Sequence, residues 1–353
     1  MAPVEANYDN SLANNSTDLV EDPKWVKLFP KCVNSNDKSC NFMTRAIYVA
    51  FSVILNRRGI LNMDYFSKNY ITEKLKIMAL SFKNPHALRI SQLIKGTGEG
   101  IKDQYIKKLA LVISASDDDE EAIEAYSFEF LYLENGGVEA QLNTSNNSGE
   151  APKPIEQLAR LGYQGTQLVR DQLVNMVRSI MYMCGKLLTP LPDSYSVNFR
   201  VEYTDIAPEG YKVDGFEGSS TFYTLSEDAQ SAVLGHVRPG YHASLLECGS
   251  IFMNDAYQSE LAMKRHVEKY IDSDLHDMNK TFYSTMETDS RLQDPTQTRS
   301  EAAALESPGD NGTMDELSTR LEDSDIGSPK AQSTVRRGAV PKPGPYTRQR
   351  ARR

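Results

Sequence analysis

The chain is poor in the residues that catalysis and metal binding use. Its 353 residues include four cysteines, Cys32, Cys40, Cys184 and Cys248. None forms a CxxC pair, and two lie inside apolar runs where a small thiol packs well. This usage fits a reducing compartment. The five histidines, His86, His236, His242, His266 and His276, are scattered. His236, His242 and Cys248 are six residues apart, which is not a zinc spacing, so they read as structural or solvent-facing. No GxSxG, HExxH, DxD-type or Walker sequence occurs in a fitting context. Asp117, Asp118 and Asp119 crowd a hydrophilic turn where nothing raises a pKa by burial. The expectation is a protein that is not an enzyme and needs no metal or cofactor. Long hydrophobic runs are also missing. The longest, inside Ala46 to Leu55, is too short to span a bilayer, and MAPVEANYDN lacks the basic start and apolar core of a secretory signal. A soluble, intracellular protein is expected.

Hydrophobic residues make up 40% of the chain and concentrate between about Trp25 and Phe252, a span long enough for one full core. Residues 1–22 are rich in Asn, Ser and acids and are expected to be disordered. The net charge of −9 is unevenly placed. An acidic stretch runs from about Asp272 to Asp325, and the last two dozen residues carry only basic charges, the pattern of an interaction tail.

The period of the apolar residues predicts the elements. From Ser39 to Arg57 they recur every three or four residues on one face of a helix ended by Gly59. A second helical stretch, about Ala87 to Ile106, is loosened by Gly96, Gly98 and Gly100. Those glycines lie within a helical pattern and do not follow a strand, so they are not a phosphate cradle. Leu109 to Ser114 reads as a buried strand. Beyond the acidic turn, Tyr126, Phe128, Phe130 and Tyr132 share one face of a second strand, giving an antiparallel hairpin with a solvated outer face. After a polar loop, 136–154, the broad apolar stripe of Leu168 to Leu188 predicts a helix lying across a sheet, stopped by Pro190 and Pro192. Tyr195 to Tyr203 alternates as a third strand, and two short strands follow near Ser220 to Leu225 and Tyr241 to Phe252. From Asp255 to about Thr281 the chain is weakly helical. Helices and strands in runs, without strict βαβ alternation, favour α+β.

MTRAIYVAFSVILNRRGIL, QYIKKLALVIS, YSFEFLYLEN, LVNMVRSIMYMCGKLLTPLP and the run into YTDIAPEGYKVDGF together resemble the HORMA domain of meiotic axis proteins. The likeness covers roughly residues 25–252. Its most specific parts are KKLALVIS, the helix-to-TPLP junction and YTDIAPEGY, and it is similar above all to the nematode meiotic paralogues, which lack a zinc-binding module. The resemblance implies a mixed or antiparallel sheet backed by helices within a domain of about 23–253. It also implies a mobile C-terminal safety belt at about 204–252 that wraps a peptide called the closure motif. Tyr203, Tyr211, Gly215, Phe216, Phe222, Tyr223, Leu225, Gly235 and Val237 are its expected peptide-binding residues. The belt's Gly210, Gly215, Gly218, Gly235 and Gly240 suit a segment with two arrangements. A guest strand would gain affinity from main-chain hydrogen bonds and specificity from side-chain pockets.

The resemblance further implies partners: closure-motif peptides of other axis proteins, self-association through the tail, indirect contact with chromatin, and no membrane. It places the protein in the nucleus, on the meiotic chromosome axis, supporting homologue pairing, synapsis and crossover control. Residues 254–329 read as a partly helical, then disordered, acidic linker, and 330–353 as a basic tail. Within that tail Val335, Arg336, Arg337, Gly338, Ala339, Val340, Pro341, Lys342 and Pro343 are the expected closure motif, since relatives keep one at this end, and VRRGAV can pair as a strand before Pro341 ends the ladder. A nucleic-acid-binding arm is the alternative for the same cluster, since any Lys/Arg group attracts phosphate. A checkpoint or repair adaptor of the same fold is a third reading, which the long acidic linker disfavours. Ser307-Pro308 and Ser328-Pro329 are ordinary for a Ser-rich linker and carry no functional weight.

Overall fold

The computed structural model describes residues 18–116, 121–133, 154–159, 162–218 and 221–270. The acidic turn at 117–120, the segment at 134–153, most of the linker and the entire basic tail, with its candidate closure motif, lie outside the described residues.

The first helix, α1 (Asn36–Arg57), begins where the Ser35 hydroxyl accepts the Lys38 N–H and ends before Gly59, which takes φ +68°. A side-chain acceptor at the N-cap satisfies one of the helix's orphan donors, and glycine adopts a left-handed turn without a Cβ penalty. This helix is buried on nearly all sides, which makes it the centre of the molecule. Next comes a hairpin that the sequence reading did not contain, β1 (Phe66–Thr72) with β2 (Leu75–Leu80), paired antiparallel. It escaped notice because its two strands carry little regular alternation. Then α2 (Pro85–Lys102) starts on the Asn84 side chain, with proline in its first turn, as a proline lacking an N–H allows.

The main sheet contains β3 (Ile106–Ser114), β4 (Glu121–Tyr132), β5 (Ser196–Tyr203), β6 (Thr224–Leu225), β7 (Gln230–Val237) and β8 (His242–Ser250). Its strands run in the order β5-β3-β4-β8-β7, all antiparallel, while β6 pairs parallel with the start of β4. Three helices complete the fold: α3 (Pro154–Ala159), α4 (Thr166–Tyr182) and α5 (Ala256–Glu268). The sheet is mixed and backed by helices, as the α+β reading expected. One strand, β7, is new. Of the described residues 221–225, Thr224 and Leu225 form a two-residue strand.

Aromatic edges join α1 to the sheet. Phe51 meets Phe128 of β4 at 5.5 Å and Phe199 of β5 at 5.2 Å between centroids, both edge-on, the arrangement that ring quadrupoles favour. Trp25 stacks on Phe29 at 4.4 Å and covers the start of the helix layer. Farther along, Gly235 takes φ +152° in a bulge of β7, and an added Cβ would lie 2.9 Å from the Met176 Cβ. That close approach lets α4 lie on the sheet.

Two expectations about the edges of the domain need correction. Asp18 to Asp22, assigned above to a disordered tail, is packed: Asp18 accepts the Thr166 N–H at the start of α4 and the Tyr163 hydroxyl, and Asp22 pairs with Arg170 at 2.6 Å. An exposed helix N-terminus attracts carboxylates, and here they come from a distant part of the chain. The outer face of the β3–β4 hairpin is not solvated either. Ala110, Val112, Ala122 and Ala125 are buried there beneath Phe222, Tyr223 and Leu225. Small side chains on that face were the overlooked sign of a cover. At the other end of the chain α5, capped by Asp255, buries Met263 and Val267 and packs on α4 and β7, so packed chain continues beyond residue 253.

Two buried histidines make the domain acid-sensitive. Burial lowers both His236 and His242 to about 4 from an ordinary 6.5. Because the folded state resists a proton that the unfolded chain accepts, their stability contribution is complete above pH 6.5 and lost as pH falls toward 4. Denaturant melts should show constant stability above about pH 6.5 and then a decline of up to about 1.4 kcal/mol per pH unit for each histidine. A His236→Gln, His242→Gln double variant should lose most of that slope, and an unchanged slope would assign it to other groups.

Candidate peptide site at the edge of the sheet

Strand β5 pairs with β3 along its length. Among the described residues no strand pairs with its other side. An unpaired edge exposes a row of N–H and C=O groups that will accept another chain unless something guards it. Residues 204–218 and 221–229 form that guard.

This strap starts where Thr204 closes β5, its N–H donating to the Tyr105 carbonyl and its hydroxyl to the Gln104 carbonyl, each at 2.8 Å. After a turn at Gly210 (φ +79°), the Tyr211 ring rests edge-on against Tyr105 and Tyr203, at 4.9 and 5.6 Å. The Val213 N–H donates to the Tyr203 hydroxyl at 3.0 Å, and Val213 is 2% exposed. These contacts, with those of Phe216, join the strap to the main core on the helix side. Phe222, Tyr223 and Leu225 lie on the opposite side, over the alanines of β3 and β4. There the Ser226 N–H donates to the Ala122 carbonyl at 3.1 Å, and Arg200 of β5 donates to the carbonyls of Thr221 and Phe222 at 3.4 and 3.1 Å.

The strap therefore passes from one face of the sheet to the other around β5. It also runs the length of that strand. It leaves from the Tyr203 end and arrives at Ala122, which faces Ser114, itself opposite Ser196 at the strand's start.

Glycines on α2 shape the seat. A Cβ on Gly96 would lie 3.3 Å from the Asp214 carbonyl oxygen, and one on Gly100 would lie 3.1 Å from the Tyr211 hydroxyl and 2.9 Å from Ile106. Gly98 instead faces Thr44 of α1 at 3.0 Å. The helix is continuous, so the three glycines are points of close approach and not a loosening. Spacing of four residues between Gly96 and Gly100, which puts both on one helix face, was the available signal. Gly215 (φ +83°) packs against Leu93, and Gly249 of β8 makes room for Leu225.

The structure sets Tyr203, Tyr211 and Phe216 on the helix side beside β5, with Gly215 against Leu93 of α2, and Phe222, Tyr223 and Leu225 over β3 and β4 on the other face. It places Gly235 and Val237 at the opposite edge of the sheet, in β7, where the first touches Met176 of α4. Within the belt of 204–252 drawn from the resemblance, β7 and β8 are strands of the main sheet, and the part beside β5 is 204–218 with 221–229. Arg200, Leu93, Gly96, Gly100 and Tyr105 belong to the site and were not foreseen.

The second edge is closed differently. Glu260 of α5 accepts the Val233 N–H of β7 at 2.7 Å, and Gln172 of α4 accepts the Arg238 N–H at 2.9 Å. Helices cover β7, whereas a strap that crosses it covers β5. Among the described residues no cluster of His, Cys, Asp and Glu could hold a metal ion, and no helix is long and apolar enough to cross a membrane.

Comparison with known proteins agrees with this geometry. The model of the HORMA domain family matches residues 39–242. The solved structure of C. elegans HTP-1 bound to HTP-3 motif-1 is 52% identical, with a TM-score of 0.63, and the match covers 67% of this chain and 100% of that one. C. elegans HTP-2 bound to the HIM-3 closure motif is 48% identical, with a TM-score of 0.62 over the same shares. HORMA domain-containing protein 1 of Danio rerio is 24% identical over 221 residues, 62% of this chain and 58% of that relative, so the match spans little more than half of the relative's length. By the extent of the family match and the likeness to these two structures, the chain belongs to the HORMA domain family.

Proposed function

We propose that this chain is a peptide-binding assembly protein of the meiotic chromosome axis, and that it acts without catalysis. The observation that carries the reading is the open edge of β5 lying under a strap that crosses it from face to face. An extended closure motif would add there as a strand, using the free edge groups for affinity, and the strap would retain it. The HTP-1 and HTP-2 structures, bound to closure motifs of HTP-3 and HIM-3, support the same role for this chain. Partners on this reading are closure motifs of other axis proteins and, through residues 335–343, other copies of this chain. The place of work is the nucleus, and the outcome is support for homologue pairing, synapsis and crossover control.

Because a guest enters only when the strap moves, association should be slow and release slower. The competing assignment gives the activity to the basic tail as a nucleic-acid arm. Removing residues 330–353 separates the two. On the peptide-binding reading the truncated protein still retains a labelled closure peptide from an axis partner, with a lifetime within about twofold of that of the full chain. Loss of peptide retention together with loss of nucleic-acid binding would move the activity to the tail. Exchange of bound peptide within milliseconds would remove the strap from the mechanism.

A further inference from the structure

The strap between Thr204 and Ala229 carries six carboxylates, Asp205, Glu209, Asp214, Glu217, Glu227 and Asp228, against a single cation, Lys212. All seven residues are exposed. Asp205 and Glu209 sit just after the Tyr203 end of β5, Asp214 and Glu217 come farther along the strap, where the Asp214 carbonyl lies beside Gly96 of α2, and Glu227 and Asp228 follow the hydrogen bond that ties Ser226 to Ala122 of β4, two strands in from the edge. Of the neighbouring cations, the Lys107 ammonium sits 2.7 Å from Glu202, while Arg200 keeps its positive charge as it donates to two strap carbonyls. At the inner end the Tyr211 phenol is raised by burial, with Tyr203 and the carboxylates of Asp103 and Glu99 adding to it.

An eight-residue guest along β5 spans roughly 26 Å at strand rise. Asp205 and Glu209 lie on the chain that leaves the Tyr203 end of that edge, and screening in physiological salt acts over about 8 Å, so a guest's charges feel those nearest them. The chain holds a segment of matching sign: residues 330–353 carry eight Lys and Arg and no acid.

Building on the peptide-binding reading, we infer that the strap selects its guest by charge, admitting extended peptides with clustered Lys and Arg, and that the basic tail of a second copy of this chain is such a guest. Long-range attraction speeds encounter more than it deepens a bound state, so charge selection acts mainly on the rate of entry.

The test uses the full chain with Val340→Glu and Pro341→Glu in its own tail, so that this tail does not compete. The probes are a labelled peptide of residues 330–353 and a counterpart with its eight Lys and Arg changed to Gln. Association of the basic peptide should slow on the order of tenfold as NaCl rises from about 50 to about 500 mM, while the neutral peptide stays nearly unchanged. Asp205→Asn, Glu209→Gln, Asp214→Asn and Glu217→Gln together should bring the basic peptide down to the neutral rate. Equal rates and affinities for both peptides at every salt concentration would overturn charge selection and leave peptide binding intact. Binding of neither peptide, by a protein that melts normally, would overturn both.

Discussion

Replacing Arg58 by methionine should lower the unfolding free energy by about 3–5 kcal/mol, a large share of the roughly 5–15 kcal/mol that a domain has. Arg58 closes the end of α1. Its guanidinium donates to both carboxylate oxygens of Glu124, at 2.7 and 2.9 Å, and to the Thr189 carbonyl at 3.0 Å. Glu124 also accepts the hydroxyls of Tyr126 and Ser250, at 2.8 and 2.9 Å. The two charged side chains are 3% and 0% exposed. For the guanidinium, burial works against its charge and the Glu124 carboxylate outweighs it, with a net rise above the ordinary arginine value. The network joins α1, β4, the end of β8 and the turn after α4. Removing the guanidinium leaves a carboxylate in the core with two hydroxyl donors and no counter-charge, which is the costly case. The paired change Arg58→Met, Glu124→Leu should recover much of the loss, because an apolar pair leaves neither charge stranded. Urea melts of the single and double variants decide this. A single-variant loss below about 1 kcal/mol would mean that water or a rearranged partner replaces the ion pair.

The second large effect is expected at Gly96. Its Cβ position lies 3.3 Å from the Asp214 carbonyl oxygen and 3.7 Å from Val213, so Gly96→Leu places a side chain where the strap rests. Overpacking of this kind costs about 1–3 kcal/mol. The cost falls on the closed arrangement alone, since removing an interior glycine favours the helix by up to about 1 kcal/mol. A bound peptide should therefore leave roughly 10- to 100-fold faster while the melting temperature holds or rises. Unchanged release would show that the strap does not need this seat. A fall in both release time and melting temperature would show that the seat supports the fold rather than the guest. Gly98, facing Thr44 of α1, touches no part of the strap, so a bulky residue there should alter stability before release.

Both effects depend on contacts between residues far apart in the chain, and this is where the sequence stopped being readable. Its periods located α1, β3, β4, α4 and β5, because a face that must be buried imposes apolar spacing on its own segment. They did not reveal β1 and β2, whose alternation is weak, or β7. Asp18 looked like part of a polar tail because nothing local marks the helix end, near Thr166, that it reaches. The resemblance located the strap, but neither it nor the residues themselves revealed that Arg200 would tether it.

What the sequence determined alone is therefore local: helix stripes, strand alternation, and the separation of an acidic stretch from a basic tail. Which edge of the sheet stays open was decided only by tertiary structure. Both β5 and β7 end the sheet, and only packing sets α4 and α5 over β7 while the strap crosses β5. A strand's side chains record which faces are buried, but its edge is made of backbone groups that every residue shares. Whether those groups are covered is settled by what folds beside them.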